Sequence, residues 1–158
     1  MVTLLPLSPA EFDDYLNHSI RNYAAEKVRA GTWTEAGADV LSKEAFDQLL
    51  PQGPDTEHQH LYSIVDEASR NKVGMVWIGV KDRSPVPGAW IWDIIIYEQY
   101  RRRGYATETL QALDRLLQTM NIDSLSLHVF GHNAGALSLY EKNGFRPTDI
   151  TMTKKIGR

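Results

Sequence analysis

Cysteine is absent from the 158 residues. That excludes a disulfide framework, a thiol nucleophile and thiolate metal sites, and it suits a reducing compartment. No run comes near the roughly 20 apolar residues that a membrane-spanning helix needs. The start, MVTLLPLSPAEF, has neither a basic opening nor an apolar core of signal length, so a cytoplasmic protein with no membrane partner is expected. Positive charge is not in excess: 17 Lys and Arg stand against 20 Asp and Glu, a formal net charge of -3. Binding a polyanion usually takes a basic face, so nucleic acid is not the expected main partner and a cationic one fits better. No internal repeat or low-complexity segment occurs. No cluster of His, Asp and Glu has ligand spacing, so no metal is expected, and His128 and His132 read as strand and turn residues with satisfied hydrogen bonds.

What is there fits one domain over residues 1–158, large enough to bury about two thirds of its unfolded surface. The predicted order is β-α-α-β-β-β-α-β-α-β, a mixed α/β (α+β) fold with a mostly antiparallel central sheet flanked by helices. A short strand over 1–5 precedes a helix that Ser8 caps and Pro9 opens. Phe12, Leu16, Ile20 and Tyr23, with Tyr15 beside them, mark one face of it to about Arg29. Residues 32–40 read as a loop, a second helix is expected from Ser42 to Pro51, and 52–60 is a loop by composition. Residues 61–65 and 72–80 form a hairpin, with Gly74 where backbones approach closely.

After Pro85-Val86-Pro87-Gly88 comes the segment that organises the chain. Trp90, Ile91, Trp92, Ile94, Ile95 and Ile96 run with only Asp93 between them and do not alternate, the pattern of a strand buried on both faces. A basic turn follows, then Gly104, then a helix with Ala106, Leu110, Leu113, Leu117 and Met120 on one stripe. A strand feeding a small-residue turn and a helix start is suited to phosphate, because first-turn backbone NH groups are unpaired and the helix dipole favours negative charge. Arg101, Arg102 and Arg103 can neutralise such a group, although a loop glycine and three solvated arginines would look the same. Residues 124–130 alternate as a strand, 133–142 form a short helix stopped at Asn143-Gly144, and 151–156 are expected to close the sheet.

Two motifs, RRRGYA at 101–106 and NAGALSLYEKNGF at 133–145, each with a strand before it, together resemble the GNAT superfamily of acyl-CoA N-acyltransferases. SLHVFGHN before the second motif and TMTKK after it resemble a subgroup of small bacterial GNAT proteins with unassigned acceptors. The resemblance implies acetyl-CoA as the acyl-donor cosubstrate. Backbone groups of Ile94 and Ile96 would hold the pantetheine arm and the thioester oxygen. Arg101, Arg102, Arg103, Gly104, Tyr105, Ala106 and Thr107 would surround the pyrophosphate, with Asn133 and Ala136 also on the cofactor side and Tyr140 beside the thioester sulfur. Asn133 can equally be the cap of its helix, and Tyr140 a core tyrosine. In the family the strand of Ile96 splays from that of Leu127 to admit the pantetheine, and this chain's sequence does not display the splay.

The implied reaction is direct acetyl transfer to a primary amine, an N-acyltransferase activity. Free alkylamine at pH 7 is scarce enough to cost about 4.6 kcal/mol, so a base or a dry pocket must assist. Asp93, the one charge in the buried strand, is the leading base, since desolvation would raise its pKa toward usefulness; its alternative is a structural pairing. Tyr140 would be general acid toward the departing thiolate, uphill by about 2 kcal/mol from reference values. For the acceptor, Glu26 and Trp33 are the chosen residues from a pool that includes Glu35, His58, His60, Trp77 and Trp92, since acids and aromatics suit an ammonium. A small-molecule amine is the expected acceptor, to a monomer or homodimer. A protein N-terminal or lysine acetyltransferase and a non-catalytic acyl-CoA sensor are the other readings.

Overall fold

The computed structural model describes residues 1–81 and 87–157; Pro85 and Val86 lie outside the described residues. The elements are β1 (Val2–Pro6), α1 (Pro9–Arg29), α2 (Ala38–Leu49), β2 (Gln59–Asp66), β3 (Lys72–Lys81), β4 (Gly88–Ile96), α3 (Tyr105–Thr119), β5 (Leu125–Leu127) and α4 (Ala134–Lys142). They build a five-stranded sheet in the order β1-β2-β3-β4-β5. The first three pairings are antiparallel and β4 with β5 is parallel. Among the described residues no helix is long and apolar enough to cross a membrane.

Helix α1 begins where its cap chemistry says it should. Ser8 and Glu11 form a reciprocal capping box, Ser8 Oγ accepting from the Glu11 amide and Glu11 Oε1 from the Ser8 amide, with Pro9 in the first turn. The other Glu11 oxygen accepts from Ser63 Oγ at 2.8 Å and Lys72 Nζ at 2.6 Å. One carboxylate thus ties the start of α1 to β2 and β3. Burial works to raise its pKa, but the hydrogen bonds from Lys72, Ser8 and Ser63 prevail and hold it at about 2.

The second helix starts at Ala38, four residues before the expected Ser42. Left-handed Gly37 is its N-cap, at φ 79°. Ser42 is fully buried and donates its hydroxyl to the Ile20 carbonyl at 2.6 Å, so it joins α2 to α1 rather than capping a terminus. The sheet separates two cores. Phe12, Tyr15, Phe46, Leu61, Met75 and Trp77 fill the α1–α2 side. Ile64, Val76, Ile78, Ile91, Leu110 and Leu113 fill the α3 side.

Strand β4 breaks its own alternation at one point. Trp77 pairs with Asp93 but the next β3 residue, Ile78, pairs with Ile91, so Trp92 is an extra residue, a β-bulge. Before it, Ile91 faces the α3 core. After it, Ile94 and Ile96 face that core while Ile95 packs on the α1–α2 side. Trp92 stacks near Trp77, ring centres 5.8 Å apart, on the α1–α2 side. The bulge therefore turns Trp92 and Asp93 toward the same face and resets every residue beyond.

Two expected strands are corrected. Residues 124–130 pair only at Leu125–Leu127, because β4 and β5 share just three partners, Ala89 with Leu125 through Ile91 with Leu127. Residues 151–156 form no strand: they are exposed throughout and pair with no described strand, and strand propensity without a partner makes no ladder.

Two outcomes test this frame. A Cβ on Gly74 would sit 2.0 Å from the Ile95 carbonyl oxygen, and neither backbone can yield, so Gly74→Ala should cost about 3 kcal/mol in urea unfolding; a loss within error of zero would refute the close β3–β4 approach. Glu11 has a folded pKa of about 2 against 4.5, so its share of stability is full above 4.5 and lost as pH falls toward 2. Stability plotted against pH should fall less steeply across that window in Glu11→Gln than in the parent, and parallel curves would remove the assignment.

Candidate functional site

Past Ile91, β4 continues to Ile96 while β5 ends at Leu127, so the two parallel strands separate and, among the described residues, one edge of β4 from Trp92 onward has no strand beside it. This is the opening the family pattern implied. An extended arm with amide donors and acceptors can add to such an edge as a further strand. At the end of β4, Arg101 Nε donates to the Ile96 carbonyl at 2.8 Å. The arginine chosen for charge thereby occupies an Ile96 backbone acceptor, leaving the strand's remaining edge groups for a ligand.

The turn from β4 to α3 is held in an unusual backbone shape. Arg102 has φ 62° and Gly104 φ 86°, both left-handed, and for the arginine this costs about 1 kcal/mol. Gly104 is the N-cap of α3 and no side chain caps the helix, while a Cβ there would meet nothing within 4 Å. Glycine is needed for its conformation, and the space before the first-turn amides of Tyr105, Ala106 and Thr107 is open. Arg103 leans on the Tyr100 ring at 5.9 Å. An uncapped helix start beside three exposed arginines can take a pyrophosphate.

The second motif locks onto the first. Asn133 is the N-cap of α4, its Oδ1 accepting from the Ala136 amide at 3.2 Å, so the capping alternative holds for this residue. At the other end, Asn143 Nδ2 donates to the Leu139 carbonyl at 2.9 Å and lies 3.5 Å from Thr107 Oγ1. Asn143, read from the sequence only as part of the helix stop, thus joins the end of α4 to the first turn of α3. Tyr140 stands half-buried on α4 with its ring 5.6 Å from Phe145. Burial pushes its hydroxyl up to about 12, with the Asp93 carboxylate adding to the effect.

Asp93 has the partner its setting demands. Tyr15, itself buried, donates its hydroxyl to Asp93 Oδ2 at 2.8 Å across 78 residues of sequence. Burial raises the Asp93 pKa, against the Tyr15 hydroxyl, the Ile94 amide and the field of His18, all of which favour the charged form. Burial and the same carboxylate drive the Tyr15 phenol well above its ordinary range, so it stays a donor. A half-buried acid held in place and made more basic is suited to accepting a proton.

Around it the acceptor candidates divide. Trp92, 40 % exposed, stands beside Asp93 on the bulge, whereas Trp77, 2 % exposed, belongs to the core and donates to Gln59 Oε1. Glu26 is paired with His132, joining α1 to the loop after β5. Trp33 packs edge-on against Tyr23, with the Lys27 ammonium 5.5 Å from its ring. It lies along a chain of rings, Tyr23, Phe46, Trp77 and Trp92, rather than against Asp93. Among the described residues no group of three or more His, Asp and Glu could hold a metal ion.

The sequence and fold match known proteins. The family model described as Acetyltransferase (GNAT) family matches residues 22–145. The chain is 45% identical over 156 residues to the uncharacterized N-acetyltransferase YycN of Bacillus subtilis (strain 168), covering 98% of this chain and 99% of that one. It is 32% identical to the uncharacterized N-acetyltransferase YdgE of the same organism, covering 98% of each. The crystal structure of YycN superposes with a TM-score of 0.95 at 44% identity over 100% of both chains.

The Tyr15 contact makes a direct prediction. Removing a hydrogen bond to the ionised carboxylate favours the neutral form, so in Tyr15→Phe the Asp93 carboxyl should titrate at higher pH than in the parent, read by carbon NMR of the side-chain carboxyl. An unchanged or lower midpoint would show that the hydroxyl does not hold the charge.

Proposed function

Since the chain belongs to the GNAT acetyltransferase family, whose members depend on acetyl-CoA, we propose that it moves the acetyl group directly to a primary amine of a small molecule, with Asp93 as base and Tyr140 as donor to the leaving sulfur. Acetyl-CoA supplies an acetyl group on a thioester, reactive toward an unprotonated amine. The observation that carries the reading is the bulge at Trp92, which sets an acid with a raised pKa and an exposed indole side by side on the open part of β4.

The backbone edge of Ile94 and Ile96 would hold the extended arm, and the amides of Gly104, Tyr105, Ala106 and Thr107 with Arg101, Arg102 and Arg103 the pyrophosphate. Asn133 and Ala136 act by fixing the start of α4. An ammonium acceptor suits Trp92 through its ring face and Asp93 through charge. Asp93 then takes the proton whose removal costs about 4.6 kcal/mol at pH 7. Glu26 and Trp33 would reach a longer acceptor from the α1 side, Glu26 with its His132 partner.

The setting alters the work assigned to Tyr140. With its hydroxyl near 12, handing a full proton to a thiolate of ordinary pKa 8.5 is uphill by about 5 kcal/mol rather than about 2. A hydrogen bond that tightens as charge grows on the sulfur avoids that cost. Its high pKa also keeps Tyr140 protonated through the whole working range of pH.

Thiol release from acetyl-CoA across polyamines, amino acids, aminoglycosides and short peptides tests this, and the chain's lack of cysteine removes protein background. Turnover is expected with one class of small amine. In Tyr140→Phe, kcat should fall about 100-fold with KM for acetyl-CoA nearly unchanged, and Asp93→Asn should lose activity most severely at low pH. Full activity in both variants would overturn the assignments; preference for peptides would replace the small acceptor, and binding without turnover would leave a sensor.

A further inference from the structure

Strand β3 carries two glycines in an apolar run, and a strand glycine is costly unless something comes close to it. At Gly74 that something is the Ile95 backbone. At Gly79 it is the polar ends of two side chains. A Cβ there would lie 2.7 Å from Trp92 Nε1, 3.1 Å from Gln59 Oε1 and 3.3 Å from Gln59 Nε2. The ladder brings these groups together: Gly79 stands opposite Gln59 on β2 and Trp90 on β4, and the bulge delivers Trp92 to the same face.

The Gln59 carboxamide has a set orientation. Trp77 Nε1 donates to Gln59 Oε1 at 2.7 Å, and an indole nitrogen can only donate, so the atom it meets is the oxygen and the amide nitrogen is the other end. The backbone beside it is also fixed, with the His58 carbonyl accepting from the Val80 amide at 2.8 Å. Among the described residues neither Gln59 Nε2 nor Trp92 Nε1 has an acceptor, while Trp92 is exposed and Gln59 half-buried. Gln59 Oε1 keeps a lone pair beyond the one that Trp77 uses. Two neutral donors and one acceptor therefore gather beside an exposed ring, at the residue next to Asp93.

We propose that this cluster is the part of the acceptor site that reads a hydroxyl, so that the acceptor is an amino alcohol rather than an alkylamine or a diamine. The assignment rests on acetyl transfer to a small amine at Asp93 and adds which amine. A hydroxyl matches both kinds of partner, its oxygen accepting from Gln59 Nε2 and Trp92 Nε1 and its proton going to Gln59 Oε1. A second ammonium brings only donors to a cluster that has one lone pair to offer. A carboxylate brings only acceptors, and no charge in the cluster offsets taking it out of water. An alkyl end excludes water from both donors and leaves them unpaired. Gln59 is then a specificity-determining residue, and Gly79 is the position that lets it and Trp92 lie against the sheet.

The test uses ω-amino alcohols of increasing chain length, with alkylamines and α,ω-diamines of equal length, so that the reach from Asp93 is scanned. The best amino alcohol should exceed its matched alkylamine about tenfold in kcat/KM, the fold-change that one hydrogen bond gives. In Gln59→Glu the Trp77 indole keeps its oxygen while both amide protons are lost and a charge is gained, so the preference should pass to the diamine. A second readout needs no turnover. Nitrogen-15 NMR of the protein loaded with CoA, which has no acetyl group to transfer, shows one indole peak for each of the four tryptophans. The amino alcohol should move the Trp92 peak, assigned by its loss in Trp92→Phe, and the alkylamine should not. Equal turnover of amino alcohol and alkylamine would overturn the subsite while leaving the transferase standing, as would an unchanged preference in Gln59→Glu. Were no amine turned over, acetyl transfer would fall as the function and the Trp92 peak would still decide the subsite: it stands if the amino alcohol alone moves the peak and goes if the peak stays.

Discussion

A carboxylate set into a strand between two packed faces must be satisfied within the fold, and here the hydroxyl of Tyr15 does this first, with the Ile94 amide beside it. Much of the site depends on that contact. It fixes α1 against β4 at the place where the strand breaks step, and it leaves Asp93 half-buried with its pKa raised. The same carboxylate is felt at Tyr140 from a different helix. Without Tyr15, Asp93 would keep only the Ile94 amide in a low dielectric, and neutralising it would be the cheapest remedy. Two groups of opposite task, one to gain a proton and one to keep it, are thus set by a shared environment rather than by separate pockets.

The sheet is asymmetric in how it ends. At β2 and β3 it is stapled by Glu11, whose single carboxylate reaches an amide, a hydroxyl and an ammonium. At β4 and β5 it divides after three paired positions. The division gives a backbone edge for an extended ligand. It also leaves the end of the chain thinly packed, with α4 hydrogen-bonded to α3 through Asn143 and only partly buried side chains, Tyr140 and Phe145, against the core. The same geometry that admits a cosubstrate therefore limits what the monomer can bury.

Local chemistry was legible wherever the signal was short in range. The Ser8-Pro9-Glu11 cap, the Gly104 helix start, the Asn133 cap and the stop at Gly144 each rest on contacts within a few residues. Gly74 was legible because a glycine in an apolar strand is costly unless something approaches it. Asp93 stood out as the only charge in its strand. Its partner did not, since Tyr15 looked like another core aromatic and lies 78 residues away. The start of α2 was misplaced because Ser42 has the composition of a cap and the position of an interhelix contact. The expected last strand had the right pattern, but pairing is a property of two segments and only one was in view. The split between β4 and β5 is likewise a relation between strands, invisible in either alone.

Consider the extra residue at Trp92 once more. Because side chains alternate along a strand, a change of register by one has an effect that no exchange of side chain can reproduce. If the same sequence ran straight through without the bulge, Asp93 would turn into the aliphatic core under α3 and Ile94 and Ile96 would leave it, while every amino acid kept its identity. The site is therefore encoded in a count as much as in a composition. Any attempt to transplant the acid into a related sheet with the same flanking residues must transplant the bulge with it.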